Sequence, residues 1–355
     1  MISNIGLPAS TIGSWTNYID KFNREEIYFD YILSPSQVSD TRYIRCIKNK
    51  WITYTPWLRK YQLLKWVAKD FIKAIQGLCG NEILLKVVVF DDLALLEAIA
   101  LEKEKFKGRV ELVFFFHGFE LKLSDNIQER VDKLLFLSKT SYLHSLQNSV
   151  KFVPEVAVVG NGVDSNKFFP LDDREKQQVR ESLSIPPNTV VVSWMANDRP
   201  VKGLHIFIKV VEHILKNHSN VYALIIGAKP DISLNNPRIK QVGRIPHDTI
   251  ASYLQASDFY FFTSLWKEGF GLSVVEAAKC GNWIITSENG SIPEVLQGVP
   301  SVYFVKYPNI VHEWCNTFEL AFAEFIKTSY SISFTKSYDL HTYQEWKSKF
   351  VDAVG

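Results

Sequence analysis

The chain has 355 residues, of which 46% are hydrophobic and 14% aromatic, and its formal net charge is +2. This length is typical of two domains, and this composition excludes disordered and fibrous proteins. Four cysteines lie far apart without a CxxC pair, which argues against a disulfide framework or a zinc site and favours a reducing cytoplasm.

The chain begins with a short predicted strand, Met1–Ile5, followed by a loop with a glycine at each end, Gly6–Gly13. A helix is predicted to begin near Ser14, directly after that loop. The first residues lack the positive charge and apolar stretch of a signal peptide. The longest apolar runs have the length of a strand and are too short to cross a membrane. We therefore expect a cytoplasmic protein.

A basic and aromatic segment follows at residues 41–73, with nine Lys and Arg residues and one acidic residue, Asp70. The aromatic residues between the cations are Tyr43, Trp51, Tyr54, Trp57, Tyr61, Trp66 and Phe71. Aromatic rings with long cationic side chains suit the headgroup layer of an anionic membrane. The alternative is a solvated helical face with its aromatic rings packed inward. Nucleic acid is not expected, since no known binding motif accompanies the segment and the chain as a whole is not strongly basic.

Two apolar strands of the first half, Lys86–Phe90 and Leu112–Phe116, are each followed by polar residues. His117 comes directly after the second strand, at the edge where open α/β sheets hold their ligands. A single histidine is nevertheless more often structural than catalytic. The pair Asp91 and Asp92 follows the first strand, and a helix cap explains it more simply than a metal site does. We predict no essential metal.

Strands and helices also alternate from residue 156 onward. Strands are predicted at Val156–Val159, Val190–Trp194, Val221–Ile226, Phe259–Thr263 and Trp283–Thr286, with helices at Gly203–Lys216, Thr249–Ala256 and Ser273–Cys280. Near-continuous apolar strands separated by amphipathic helices are typical of parallel sheets covered on both faces. The sequence therefore predicts the α/β fold class.

The polar connection Gly160–Pro170 is the best candidate for a domain boundary, because it is rich in Gly, Asn and Asp. We predict one domain at residues 1–163 and a second at residues 164–330. The remaining segment, 331–355, shows helical apolar spacing, and we expect it to pack back on the first domain. The residues with this spacing are Tyr343, Trp346 and Phe350.

The stretch after the strand Phe259–Thr263 has the features of a phosphate-binding loop. Glu268, Gly269, Phe270 and Gly271 precede a helix, whose start offers free N–H groups and the positive end of the helix dipole. Glu268 and Glu276 form a carboxylate pair that can accept hydrogen bonds from the vicinal hydroxyls of a sugar or ribose. The spacing alone is a weak signal, because Ser273 and Glu276 also fit a helix-capping box.

A second basic turn, Arg199–Gly203, follows the strand Val190–Trp194 and precedes a helix. Lys202 and Arg199 at such a turn can neutralise the charge that develops on a leaving diphosphate. The alternative is an ordinary polar loop between a strand and a helix.

The stretch Gly160–Val295 resembles the family-4 retaining glycosyltransferases. Glu268 and Glu276 match the donor-site motif of that family, which is a glutamate, seven residues and a second glutamate. Further elements match in the expected order: Asn161–Asp164, Phe168, Pro170, Gly243–His247, Ala256–Asp258, Ser264, Glu268–Gly271, Glu276–Ala278, Gly281 and Gly290–Val295. The resemblance implies two facing Rossmann-like domains, the GT-B architecture, with a deep interdomain cleft.

The resemblance also implies roles for residues of the second domain. Glu276 would bind the ribose hydroxyls of a nucleotide, and Glu268 would face the hydroxyls of the donor sugar. The backbone of Phe270–Leu272 would hold the diphosphate, and Arg244 and Ile245 would border the base. Both glutamates are therefore expected to be essential.

The diphosphate clamp departs from the family pattern. Lys202 matches the family's phosphate-binding lysine at the start of a helix. The family's Gly-Arg pair, six residues earlier, is replaced here by Met195 and Ala196. Arg199 is the candidate to supply the missing guanidinium from within the turn.

Two regions of the first domain complete the resemblance. His117, followed by Gly118, matches a His-Gly pair that lines the cleft near the reacting sugar, so it would orient or polarise rather than act as a nucleophile. Gly13 and Ser14 match the end of a glycine-rich loop that lies close to the donor phosphate and the acceptor.

The expected activity is that of a retaining glycosyltransferase of the hexosyltransferase type. It would move a sugar from a nucleoside diphosphate to a saccharide or lipid-linked saccharide, in the synthesis of a cell-surface polysaccharide or glycolipid. No cofactor is expected, and the basic segment predicts reversible contact with the inner face of the membrane. The alternatives are a sugar-nucleotide epimerase or phosphorylase of the same fold, and a non-catalytic sugar-binding scaffold.

Overall fold

The computed structural model describes residues 1–8, 14–49, 55–80, 84–231, 233–328 and 340–355, in two compact units. Unit 1 comprises Met1–Gly160 together with Trp346–Gly355, and unit 2 comprises Asn161–Glu345. The sequence placed the boundary at residue 163 and a separate segment from residue 331. In the structure, unit 2 continues to Glu345, and only the residues from Trp346 onward return to unit 1.

Unit 1 is built on a parallel sheet of seven strands. The strands are β1 (Ile2–Ser3), β2 (Ile32–Ser34), β3 (Tyr43–Arg45), β4 (Leu84–Phe90), β5 (Arg109–Phe115), β6 (Lys133–Phe136) and β7 (Glu155–Val158). Their order across the sheet is β3-β2-β1-β4-β5-β6-β7, and every pairing is parallel. The order reverses between β1 and β4. The residues that follow these two strands therefore lie where open α/β sheets hold ligands.

The helices of unit 1 follow the strands along the chain. They are α1 (Ser14–Glu25), α2 (Arg59–Gln62), α3 (Lys69–Leu78), α4 (Leu93–Glu102), α5 (Asp125–Gln128) and α6 (Lys139–Gln147). A π-helix, Leu63–Val67, joins α2 to α3. Consecutive residues of β4 and β5 are buried at Val87–Phe90 and Leu112–Phe115. Because neighbouring residues of a strand point to opposite faces, both faces of this part of the sheet are covered.

Unit 2 is built on a parallel sheet of six strands in the order β10-β9-β8-β11-β12-β13. The strands are β8 (Val190–Met195), β9 (Val221–Ile226), β10 (Ile239–Gly243), β11 (Phe259–Phe262), β12 (Trp283–Ser287) and β13 (Val302–Val305). The helices are α7 (Asp173–Ser182), α8 (Leu204–Asn217), α9 (His247–Ala256), α10 (Leu272–Lys279), α11 (Ile292–Val295) and α12 (Val311–Thr328).

The four strands β8, β9, β11 and β12 are buried at every residue, as the near-continuous apolar runs predict. The strand order reverses between β8 and β11, so the loops after these two strands are neighbours at the carboxyl edge of the sheet. The two parallel sheets confirm the predicted α/β class. None of the helices in the described ranges combines the length and the apolar content that crossing a membrane requires.

The last helix, α13 (Tyr343–Val354), begins in unit 2 and ends in unit 1. Its three apolar residues with helical spacing, Tyr343, Trp346 and Phe350, are all buried. In unit 1 the Trp346 ring lies 4.7 Å from that of Tyr18 and 5.7 Å from that of Phe22. The final helical turns therefore form part of the core of unit 1.

Candidate functional site

Hydrogen bonds join the turn after β8 to Thr263, the residue that follows β11. The hydroxyl of Thr263 accepts a hydrogen bond from Trp194 Nε1 at 2.9 Å. The same hydroxyl lies 3.1 Å from the carbonyl oxygen of Lys202 and 2.9 Å from that of Gly203. Gly203 has a φ of +73°, and a Cβ there would stand 2.0 Å from the Thr263 carbonyl oxygen. Only glycine fits this approach, and the turn places Lys202 beside the loop that follows β11.

Lys202 and Glu268 form a close ion pair at this edge of the sheet. The Lys202 Nζ lies 2.6 Å from Glu268 Oε1, and the two side chains are only 17% and 14% exposed. The hydroxyl of Ser264 donates to the same Oε1 at 2.6 Å. Within the described ranges Oε2 of Glu268 accepts no hydrogen bond, so half of this carboxylate is available to a ligand. The sequence predicted the two charged residues here but assigned no role to Ser264.

The loop Glu268–Gly271 is shaped by two glycines in the left-handed region. Gly271, with a φ of +81°, directly precedes α10, and a Cβ there would meet Ile292 Cδ1 at 2.6 Å. Gly290, with a φ of +65°, would bring a Cβ within 2.5 Å of the Glu268 backbone nitrogen and oxygen. Phe270 is buried. The predicted backbone segment Phe270–Leu272 thus lies at the start of α10, where free N–H groups favour an anion.

Glu276 lies in the second turn of α10 and is only 5% exposed. The capping-box alternative for this residue is wrong, because α10 begins at Leu272 after Gly271 and has no side-chain cap. Ser273 instead accepts a hydrogen bond from the Tyr260 hydroxyl at 3.0 Å. Glu276 is therefore a buried carboxylate that does not serve the helix end.

His247, which the resemblance included without a role, lies beside Glu276, and Lys167, which sequence reasoning missed, contacts His247. The Nε2 atom of His247, the first residue of α9, is 3.5 Å from Glu276 Oε1. On the other side of the ring, the Nζ atom of Lys167 lies 3.0 Å from His247 Nδ1 and donates to the His247 carbonyl oxygen at 2.8 Å. Nothing in the local sequence points to this contact, since Lys167 and His247 are 80 positions apart.

The remaining predicted donor residues of unit 2 are more exposed. Arg199 is exposed and donates from Nε to the Asn197 side-chain oxygen at 3.1 Å, so its guanidinium is held within its own turn. Arg244 is exposed and Ile245 is half-buried, both directly after β10. At the position of the missing family arginine, a Cβ on Gly227 would lie only 2.5 Å from the Ala196 carbonyl oxygen. The backbone is therefore crowded there.

His117 lies in unit 1, two residues after β5. Its ring stacks on Trp15 with 4.6 Å between ring centroids and a tilt of 10°. Both ring nitrogens are shielded from solvent and have no hydrogen-bond partner in the part of the chain that the structure describes. Burial lowers the pKa of the imidazole to about 3. The ring is therefore uncharged at neutral pH. Ser14 begins α1 beside Trp15, whereas the predicted site residue Gly13 lies outside the described residues.

The two aspartates after β4 have separate structural roles. Asp92 caps α4 by accepting from the Leu95 N–H at 3.0 Å, and it pairs with Lys48 at 2.7 Å. Asp91 accepts from the backbone N–H of His117 at 3.0 Å and thereby joins the ends of β4 and β5. Within the described ranges no group of three or more His, Cys, Asp or Glu side chains is placed to hold a metal ion.

Comparison with known proteins relates part of the chain to one family model and to several curated proteins. Residues 175–309 match the family model described as Glycosyl transferases group 1. The Phosphatidylinositol N-acetylglucosaminyltransferase GPI3 subunit of Saccharomyces cerevisiae (strain YJM789) is 25% identical over 182 residues, which are 49% of this chain and 39% of that protein. The GDP-mannose-dependent monoacylated alpha-(1-6)-phosphatidylinositol monomannoside mannosyltransferase of Corynebacterium glutamicum is 24% identical over 214 residues. That alignment covers 53% of this chain and 55% of the mannosyltransferase. The chain thus spans only part of the length of these relatives.

Solved structures resemble the whole chain. A glycosyltransferase from Rickettsia africae ESF-5 has a TM-score of 0.72 and 16% identity, over 95% of this chain and 92% of that one. Anabaena Alr3699/HepE in complex with UDP and glucose has a TM-score of 0.71 and 16% identity, over 99% of this chain and 97% of that one. The chain therefore has the GT-B fold of these solved structures, and residues 175–309, within its unit 2, resemble the glycosyl transferases group 1 family.

Proposed function

We propose that the protein is a retaining glycosyltransferase of the hexosyltransferase type, which moves a sugar from a nucleoside diphosphate to an acceptor hydroxyl. The observation that supports this most directly is the cluster at the carboxyl edge of β8 and β11. There the Lys202 ammonium lies 2.6 Å from Glu268 Oε1, beside the start of α10. A cation, a helix start and two carboxylates suit a ligand that carries both phosphate and hydroxyl groups.

Each group would have a distinct task in the transfer. Lys202 and the backbone of Phe270–Leu272 would stabilise the negative charge that develops on the departing diphosphate. Glu268 would accept hydrogen bonds from the donor sugar through its open oxygen, and Glu276 from the ribose. Arg199 would add a second cation only by leaving Asn197, and we assign no essential metal to the site.

We propose front-side substitution as the route to retention. The bond between the anomeric carbon and the phosphate oxygen breaks, and the acceptor oxygen bonds to the same face of that carbon. The departing phosphate takes the acceptor proton, so no protein carboxylate forms a covalent intermediate. His117 is uncharged at neutral pH because burial lowers its pKa to about 3, so it would not donate a proton to the reaction as an acid.

We infer that the acceptor is a lipid-linked saccharide or glycolipid, on two grounds. Both curated relatives described above are named for phosphatidylinositol substrates. In addition, the π-helix of unit 1 and the helices that flank it in sequence expose a set of aromatic and basic side chains. We call it the basic aromatic surface, and it consists of Trp57, Lys60, Tyr61, Lys65, Trp66, Lys69 and Lys73.

The exposure of this surface favours a lipid partner over a solvated face with buried rings. Trp57 is 81% exposed, Tyr61 52% and Trp66 49%, so these rings do not pack inward. The four lysines form no ion pair with any other described residue. By contrast, Arg59 at the edge of the surface pairs with Glu97 at 2.5 Å. Amphipathic rings beside unpaired lysines match the headgroup layer of an anionic membrane, and we propose reversible docking there.

The donor proposal is tested by thermal unfolding with UDP, GDP, ADP, CDP and dTDP. A nucleotide at one hundred times its Kd stabilises the fold by about 2.7 kcal/mol. One of them should raise the midpoint of thermal unfolding of the wild type but not that of Glu276→Gln. Glu288→Gln, which changes an exposed glutamate, is the control and should respond like the wild type. No response to any nucleotide would contradict the donor site. Product analysis with the matching sugar nucleotide would then separate transfer from epimerisation or phosphorolysis, and an unreacted donor would favour a scaffold.

The membrane proposal is tested by co-sedimentation with vesicles that contain phosphatidylglycerol, at low salt. Each cation near an anionic surface adds about 1 kcal/mol to the free energy of binding. The double variant Lys65→Gln, Lys69→Gln should therefore bind about 30-fold more weakly than the wild type. The matched control replaces two exposed lysines of α8, Lys209 and Lys216, by glutamine and should bind like the wild type. Equal binding by all three proteins, or none, would refute this surface as a docking site.

A further inference from the structure

We propose that Lys167 and His247 form a positioning relay that orients the Glu276 carboxylate for the ribose hydroxyls of the donor. The relay rests on the proposed donor function, since it concerns how the same site recognises the nucleoside. His247 contacts Lys167 and Glu276 through different ring nitrogens, with 3.0 Å between Lys167 Nζ and His247 Nδ1, and 3.5 Å between His247 Nε2 and Glu276 Oε1.

The first step is the tautomer of His247. A lysine ammonium carries only donors, so the Nδ1 atom that faces Lys167 must act as the acceptor. The ring proton is then on Nε2, which is the nitrogen nearest Glu276. With Lys167 at Nδ1, His247 directs its Nε2–H group toward Oε1 of the Glu276 carboxylate.

The second step concerns the oxygen atoms of Glu276. The carboxylate is 5% exposed, and no other described side chain forms an ion pair or hydrogen bond with it. A buried carboxylate needs hydrogen-bond donors, and its two oxygens can accept about four. With Oε1 directed to His247, Oε2 is left for a ligand that brings hydroxyl donors. Vicinal ribose hydroxyls fit this requirement.

The third step is the position of Lys167. Its ammonium donates to the carbonyl oxygen of His247 at 2.8 Å, at the start of α9. The positive end of a helix dipole repels a cation, so this position is unfavourable for a lysine that serves the helix alone. The nearby Asp248 carboxylate, 3.2 Å away, is 98% exposed and contributes little. The position of Lys167 is better explained by its interaction with Nδ1 of the His247 ring.

The experiment compares two ligands that differ only in the ribose hydroxyls. The probes are whichever nucleoside diphosphate binds the wild type, and its 2′,3′-dideoxy counterpart, with Kd measured by calorimetry. Hydrogen bonds to a charged group contribute about 1.5–3 kcal/mol, so the wild type should prefer the hydroxylated ligand by at least about tenfold. His247→Phe and Lys167→Met should lose most of this preference while their Kd for the dideoxy ligand stays within about twofold of the wild-type value.

Two further variants separate positioning from a merely structural role. His247→Gln keeps an N–H donor near the position of Nε2 and should restore the preference. Asp248→Asn removes an exposed contact of Lys167 and should leave the preference intact. In a Glu276→Gln background, His247→Phe should have no additional effect on it.

The relay is overturned if His247→Phe and Lys167→Met weaken both ligands equally, because that result would show simple anchoring of the loop to α9. It is also overturned if His247→Phe lowers the preference for the hydroxylated ligand further in the Glu276→Gln background. A wild type that binds no nucleoside diphosphate would instead refute the donor site itself, and the relay with it. A wild type that binds both ligands equally would keep the donor site and refute the ribose assignment.

Discussion

The free energy of unfolding should fall less between pH 7 and pH 5 when His117 is replaced by Phe. Burial lowers the pKa of His117 to about 3, from an ordinary value of 6.5. In this pH range the unfolded chain binds a proton that the folded chain does not. The stability is therefore present above pH 6.5 and is lost as the pH falls toward 3. The two pKa values correspond to a loss of about 2 kcal/mol between pH 7 and pH 5.

Urea unfolding followed by circular dichroism at both pH values measures this difference. Phe keeps a flat ring against Trp15 but cannot bind a proton. The wild type should lose about 2 kcal/mol more than His117→Phe over the interval. Equal losses in the two proteins would refute the reasoning, because the imidazole would then titrate alike in both states.

Asp91 should act in the opposite direction and provides a control on the sign. Desolvation raises the pKa of its carboxyl to about 6, with the hydrogen bond from His117 opposing the shift and the charge of Asp92 adding to it. The folded state therefore binds this proton first, which stabilises it as the pH falls through 6. Asp91→Asn should lose more stability than the wild type between pH 7 and pH 5. A smaller loss would contradict the direction of the shift.

Three further substitutions should lower the free energy of unfolding measured in urea. Gly290→Ala should cost about 2 kcal/mol or more and abolish nucleotide binding, since its φ is +65° and its Cβ would stand 2.5 Å from the Glu268 backbone. Trp346→Ala should cost about 3–5 kcal/mol, because the ring is 1% exposed in the core of unit 1. Asp258→Asn should cost about 3 kcal/mol, because it leaves the half-buried Arg180, now 2.6 Å from the carboxylate, without its counter-charge. A loss below about 1 kcal/mol in any of them would contradict the stated cause.

The elements that could be predicted are those whose pattern is local. β8, β9 and β11 are runs of apolar residues buried on both faces, so composition alone located them. β2 and β3 have only three residues each and were missed, because such short strands depend on their neighbours in the sheet. The capping-box alternative failed because Gly271, in the left-handed conformation, is the residue before the helix. The helix α10 then begins at Leu272, one residue before Ser273.

The candidate site was predictable to the same extent. Lys202, Glu268 and the glycines around them lie in two loops that the parallel topology brings together, and their ion pair follows from that topology. The pairing of Lys167 with His247 joins residues 80 positions apart. A contact of that kind leaves no periodicity in the sequence, so only the folded chain reveals it. The contact of Ser264 with Glu268 is local, and a serine four residues before the glutamate was a signal that could have been used.

The return of Trp346–Gly355 to unit 1 has a consequence for how the protein is made. Synthesis proceeds from the amino terminus, so residues 161–345 leave the ribosome before the core of unit 1 can be completed. During that interval Tyr18 and Phe22 lack the ring of Trp346 that later covers them. The nascent chain therefore carries an unfinished apolar surface through most of its translation. A stop codon just before Trp346 would damage the unit that was synthesised first.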